Sequence, residues 1–223
     1  MGFGTVRLMT DSIAVLRRYF NGILAVLFVG FAGVASAQTL PAQTLPAQYS
    51  VTGVVADDVL NIRAEPRADA AIVGSLGPYA FNVEVLEIAG GGTWGLVATG
   101  EGSGWVSMRF MARQETFAGA IPRPLSCYGA EPFWSIGMYP RGSEYELMGE
   151  ARQDLTLISE NVAQNGYLAL LMDAQMQTWT LIVERRGCFD GMSDRRFGFS
   201  GMVYSQSAEG GYVHTGCCTL DGN

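Results

Sequence analysis

The segment VHTGCC, Val213 to Cys218, places the chain's only histidine, His214, three positions before two adjacent cysteines, Cys217 and Cys218. Imidazole and thiolate are ligands for zinc and copper, and a thiolate beside an imidazole is also a nucleophile with its base. Upstream, Ser193 and Asp194 supply the other two groups that a hydroxyl triad with His214 would need. No G-x-S-x-G elbow surrounds that serine, and DGMSDRR has the composition of a loop. A third grouping is built from carboxylates. Glu131 sits among the aromatics of GAEPFW, a setting that can raise a carboxyl pKa toward acid catalysis, and Asp190 or Asp194 could be the second carboxylate of a glycosidase pair. Alternatively Glu131 pairs with an arginine, Arg195 or Arg196, and Trp134 is a core residue.

Which of these chemistries survives depends on the compartment. Gly22 to Val34 is a 13-residue uncharged run, preceded by Arg17 and Arg18 and followed by ASAQ. That is the pattern of a signal peptide, with cleavage expected after Ala37. The run is shorter than the ~20 residues of a comfortable span, so a membrane association is expected only through this segment if it is left uncleaved. RRYF resembles a twin-arginine signal without its full motif, and the route of export stays open. The expected location is the periplasm or the exterior.

Cys127, Cys188, Cys217 and Cys218 make an even number in a chain expected to be exported, and disulfides are the default reading. A ring between the neighbours Cys217 and Cys218 would be strained. Two pairings remain open, in which Cys127 and Cys188 each reach one of them. Adjacent strand residues face opposite sides, so one member of the pair would lie inside a barrel and the other outside, or the strand would bulge. Joined sulfurs can neither ligate a metal nor attack, so no metal and no cofactor are expected, and His214 reads as an exposed or hydrogen-bonded strand residue. No catalytic residue is assigned; Glu131, Asp190, Asp194 and His214 are the candidates.

Removing residues 1–37 takes away three arginines and one aspartate and moves the formal charge from −7 to −9. An acidic surface is unsuited to nucleic acid. All basic residues are arginine, which excludes lysine Schiff-base chemistry.

QTLPAQTLPAQ, from Gln38, repeats a proline-bearing unit and reads as an extended tether over 38–48. Residues 49–112 then break into short strand-like runs: YSVTGVV, VLNIRAE, AIVGSL, FNVEVLEIA, TWGLVAT and GWVSM. Period-two alternation turns Leu60 and Ile62 inward and Asn61 and Arg63 outward; likewise Val83 and Val85 inward, Asn82 and Glu84 toward water. A linker is placed at 113–124, around QETFAGAIPR. Seven further strand runs follow in 125–223: FWSIGMY, EYELMGE, LTLISENVA, YLALLMD, TWTLIVE, RFGFSGMVYS and GYVHTGC. A closed or nearly closed antiparallel barrel suits them because closure hides strand edges. The expected class is all-β: a small barrel followed by a second, disulfide-bonded, antiparallel β-barrel-like domain.

The stretch VLNIRAEPRADAAIVGSLGPYAFNVEVLEIAGGGTWGLVATGEGSGWVSMRFM resembles a bacterial SH3-like domain in the order of its strands. The resemblance implies a half-open barrel that binds peptides or cell-wall material and targets rather than catalyses. The aromatic and polar groups expected on the groove side, Tyr49, Asn61, Arg63, Tyr79 and Trp94, are the candidate ligand contacts, with burial the alternative for Trp94 and with Trp105 in the core. AGGG before Trp94 departs from the family and lengthens a loop beside the groove. In the second half, CYGAEPFWSI, CFDGMSDRRFGF and the final GCC resemble a family of exported proteobacterial proteins whose activity is not established. The expected function is non-catalytic binding of a peptidoglycan peptide or an envelope protein. The alternative is a wall-targeted hydrolase with its active site in 125–223.

Overall fold

The computed structural model describes residues 44–116, 119–207 and 210–221. The expected signal segment, 1–37, and residues 38–43 of the tether lie outside the described residues.

Turn residues cut the first body into short strands: β1 (Ala47–Val51), β2 (Leu60–Arg63), β3 (Ile72–Leu76), β4 (Val83–Val85), β5 (Glu87–Ala89), β6 (Trp94–Ala98), β7 (Ser103–Ser107) and β8 (Met111–Arg113). They form a sheet of order β4-β1-β8 and another of order β3-β2-β7-β6-β5. Leu60, Ile62, Val83, Val85, Val97 and Val106 share one core. Asn61 and Arg63 face outward from it, as alternation requires.

Three expectations change here. FNVEVLEIA is two strands: the chain switches sheets at Leu86, so β4 pairs with β1 and β5 with β6. The strand β1 begins inside the expected tether, and Gln48 is buried, its Nε2 donating to the Leu220 carbonyl at 2.9 Å. Glu84, expected in water, is 2% exposed. The AGGG stretch is a single 3-10 turn at Gly90–Gly92, with φ of 60°, 66° and 99° at its three glycines. Side chains rarely adopt those angles, which accounts for the run.

The second body is an eight-stranded closed antiparallel barrel. Its strands are β9 (Leu125–Ala130), β10 (Phe133–Tyr139), β11 (Gly142–Leu147), β12 (Gln153–Ala163), β13 (Gly166–Met172), β14 (Thr178–Glu184), β15 (Phe199–Ser207) and β16 (Gly210–Thr219). Each pairs with its sequence neighbours, and β16 returns to β9 to close the wall. Strand β9 has no counterpart among the seven runs, because LSCYGA mixes small and polar residues with few β-formers.

Alternation fills the interior. Trp179, Leu181 and Val183 of β14 point inward with Ile136 and Met138 of β10 and Phe199 and Val203 of β15. Eight strands enclose a space that side chains just fill, and large residues such as Trp179 and Tyr145 occupy it here. The indole of Trp179 donates to Asp173 Oδ2 at 3.2 Å, while Asp173 Oδ1 accepts the Gln175 and Gln177 amides at 2.9 Å each. One carboxylate thus closes the β13–β14 turn and satisfies a buried indole.

The expected linker at 113–124 is part of the architecture at both ends. The Gln114 amide donates to the Gln48 carbonyl at 2.9 Å, and Ile121 enters the barrel core. Arg123 meets Glu160 at 2.8 Å. The described residues form one compact unit.

Candidate functional site

Cys217 and Cys218 resolve the alternation problem without a bulge. Cys218 points into the barrel and is joined to Cys127, its direct partner across the β9–β16 seam. Cys217 points outward and is joined to Cys188. The first bond staples the closing seam, whose pairing is limited to Cys217 with Tyr128, Cys218 with Cys127 and Thr219 with Ser126. The second pins the 185–198 loop, between β14 and β15, to the outer wall. Two disulfides and no free cysteine place the chain's maturation in an oxidising, extracytoplasmic environment.

That loop is braced along its length. Cys188 and Phe197 bridge through their backbones. The Arg195 guanidinium lies 5.0 Å over the Phe197 ring and reaches Asp221 at 3.5 Å. Asp190 Oδ1 accepts the Met192 and Ser193 amides at 3.0 Å each, and Oδ2 accepts the Ser193 hydroxyl at 2.9 Å. Partial burial pushes the Asp190 carboxyl up, but these three donors more than reverse it and hold the group below its ordinary range.

Between this loop, the outer face of β14–β16 and the β6–β7 hairpin tip at Gly100 and Glu101 lies a cleft of about 1230 Å³. Its apolar lining includes Tyr128, Phe133, Ile182, Phe189, Met192 and Met202. Ile182 and Met202 belong to a row across the outer wall: Leu168 faces Ile182, Ile182 faces Met202, and Met202 faces Thr215. Leu168, Ile182 and Met202 are 38%, 43% and 40% exposed, on the side of the sheet where polar residues normally stand. A contiguous exposed apolar stripe of this kind is a candidate binding surface.

The candidate catalytic groups are not brought together. Ser193 is held by Asp190 on the loop outside the wall. His214 faces the barrel interior, its Nδ1 3.1 Å from the Tyr145 hydroxyl and its ring 4.5 Å from that of Tyr212. Burial lowers the His214 pKa and raises that of the Tyr145 hydroxyl. Asp194 is exposed, its amide donating to the Glu101 carbonyl at 3.0 Å. The wall therefore separates His214 from Ser193, and the triad is not formed. Glu131 is exposed in the β9–β10 turn and, unlike Asp190, does not line the cleft. Neither Arg195 nor Arg196 pairs with it: Arg195 goes to Asp221 and Arg196 to Glu87 at 3.0 Å. Trp134 is buried, donating to the Thr215 carbonyl at 3.3 Å.

In the first body, Tyr49 is 2% exposed within the core, which removes it from a ligand-facing position. Arg63 is half-buried, and its Nη1 donates to the Ala70 carbonyl at 2.7 Å, fastening the turn before β3. Trp105 is half-buried directly across from Arg63 rather than enclosed. Asn61 and Trp94 are half-buried, and Tyr79 is 75% exposed.

Sequence reasoning missed the joint between the two bodies. Glu84 Oε2 accepts the Thr219 hydroxyl at 2.6 Å, and Oε1 accepts the Leu220 amide at 3.0 Å. Burial pushes the Glu84 carboxyl up to about 7, the two donors and Arg195 opposing the rise and Asp221 adding to it. Nearby, Arg196 donates through its amide to Ser103 Oγ at 3.0 Å. The one signal available was the length of the apolar-flanked run containing Glu84.

The chain matches no protein-family model, no curated protein and no solved structure.

Proposed function

We propose that this is an exported protein of the cell envelope, in the periplasm or outside, that binds a ligand without transforming it. The first body acts as an SH3-like module in this reading, and the seat is the cleft it shares with the barrel. The ligand is a peptidoglycan peptide or a segment of an envelope protein. The observation that carries the reading is the cleft itself. It is walled by exposed apolar side chains beside a disulfide-pinned loop, and the candidate catalytic groups Asp190, His214 and Glu131 are either engaged structurally or pointed elsewhere. Asp190 caps its own turn, His214 is inside the barrel, and Glu131 is on another turn.

The test is incubation of the full mature chain with purified peptidoglycan, following both retained protein and released soluble fragments. No fragments are expected. Fragments released by the wild type and lost with Glu131→Ala would replace the reading with a wall hydrolase.

A further inference from the structure

The charge of the cleft selects among its ligands. Its lining carries four carboxylates, Glu101, Glu146, Glu184 and Asp190, and two guanidinium groups, Arg186 and Arg195. Both arginines are engaged, Arg186 with Glu184 at 3.5 Å and Arg195 with Asp221 at 3.5 Å. Asp190 is consumed by its turn. Glu101 and Glu146 are exposed and have no ion pair among the described residues. What remains for a ligand is an apolar floor, Ile182 and Met202 continuing to Leu168, beside two uncompensated negative charges. A low-dielectric wall strengthens the field of such charges at the ligand.

Resting on the cleft as the binding seat, we propose that its occupant is a cationic, apolar peptide segment. Apolar side chains of the segment lie along the Leu168–Ile182–Met202 row, and its Arg or Lys groups face Glu101 and Glu146. Methionine side chains from two directions, Met192 on the loop and Met202 on the wall, suit a floor that adapts to different apolar side chains. A wall stem peptide, rich in free carboxylates, would meet like charge here. The preference therefore favours an envelope protein over peptidoglycan.

The probes are fluorescein-labelled Leu/Arg, Leu/Ser and Leu/Glu peptides of equal length, read by fluorescence anisotropy on the full mature chain. The Leu/Arg peptide is expected to bind best, its advantage shrinking as salt is raised. Glu101→Gln and Glu146→Gln should each weaken Leu/Arg binding about threefold, the range of a single exposed charge pair, and leave Leu/Ser binding unchanged. Asp57→Asn, a charge change on an exposed turn away from the cleft, should do nothing. Ile182→Ser with Met202→Ser should weaken all three peptides; both sites are on the outer face, and an unchanged thermal transition checks the fold.

If Leu/Ser or Leu/Glu binds as tightly as Leu/Arg, or Asp57→Asn matches Glu101→Gln, the cationic preference is overturned. Provided Ile182→Ser with Met202→Ser still weakens binding, the cleft then remains the seat. Should no peptide bind, or should the double serine change leave binding intact, both the preference and the seat fail.

Discussion

The carboxyl of Glu84 in the first body lies against Thr219 at the end of the last barrel strand, the hydroxyl donating to it at 2.6 Å across 135 residues of sequence. The contact is fully enclosed, and it joins the β4 strand to the seam that closes the barrel. A buried acid in that position makes docking of the two bodies depend on its protonation.

The folded carboxyl has its pKa raised from the ordinary 4.5 to about 7. Between those values the folded chain keeps a proton that the unfolded chain has released. The stabilisation is therefore complete below about pH 4.5 and is lost as pH rises through about 7, amounting to about 3 kcal/mol at full loss. Asp221 and Arg195 face the same group with opposite effects. His214, lowered by burial, acts in the other direction, adding stability above its unfolded value and losing it on acidification, but it is only partly buried and contributes less. Urea denaturation from pH 4.5 to 8 should show stability falling with pH in the wild type, and Glu84→Gln should flatten the slope. An unchanged slope in that variant would remove Glu84 as its source.

The two disulfides should separate in both stability and access. Cys127–Cys218 closes a separation of 91 residues and Cys188–Cys217 one of 29. In the chain-entropy picture these correspond to about 4–5 and about 3–4 kcal/mol respectively. Cys127 and Cys218 are enclosed in the barrel, whereas Cys188 is half-buried on the outer face. Limited reduction followed by alkylation and peptide mass spectrometry should label Cys188 and Cys217 first. The Cys188→Ser/Cys217→Ser pair should loosen the cleft loop while leaving the barrel folded. Early labelling of Cys127 would contradict the placement.

The alternation of Leu60 and Ile62 against Asn61 and Arg63 was readable because both strand faces obey local rules. The same rule left two outcomes for Cys217 and Cys218, opposite sides or a bulge, and the barrel takes the first. The rule failed at Glu84, where the partners Thr219 and Leu220 come from the far end of the chain and reverse the expected exposure. It holds at Ile182 and Met202, which alternate outward on β14 and β15 although both are apolar; their row across β13, β14 and β15 exists only once the barrel sets the register. For Ser193 and His214, residue type suggested a triad, but only the closed wall shows that one is outside and the other inside. Strand β9 escaped because its β character comes from its place between β10 and β16, not from its composition.

Gly201 makes room for the inner disulfide. It sits on β15 opposite Gly216 of β16, and a Cβ built on it would lie 2.3 Å from Cys218 Sγ and 3.1 Å from Cys127 Sγ. The cross-linked sulfurs cannot swing away as a flexible side chain could, so Gly201→Ala must shift the wall itself. Overpacking of this kind costs about 1–3 kcal/mol. The obstacle is the sulfur pair, so the same substitution in a Cys127→Ala/Cys218→Ala background should cost much less, although that background is itself less stable. A double-mutant cycle on denaturation midpoints measures the difference as a coupling energy. If Gly201→Ala costs the same with and without the sulfurs, the glycine answers to some other neighbour, and the fit of the bond inside the barrel does not depend on it.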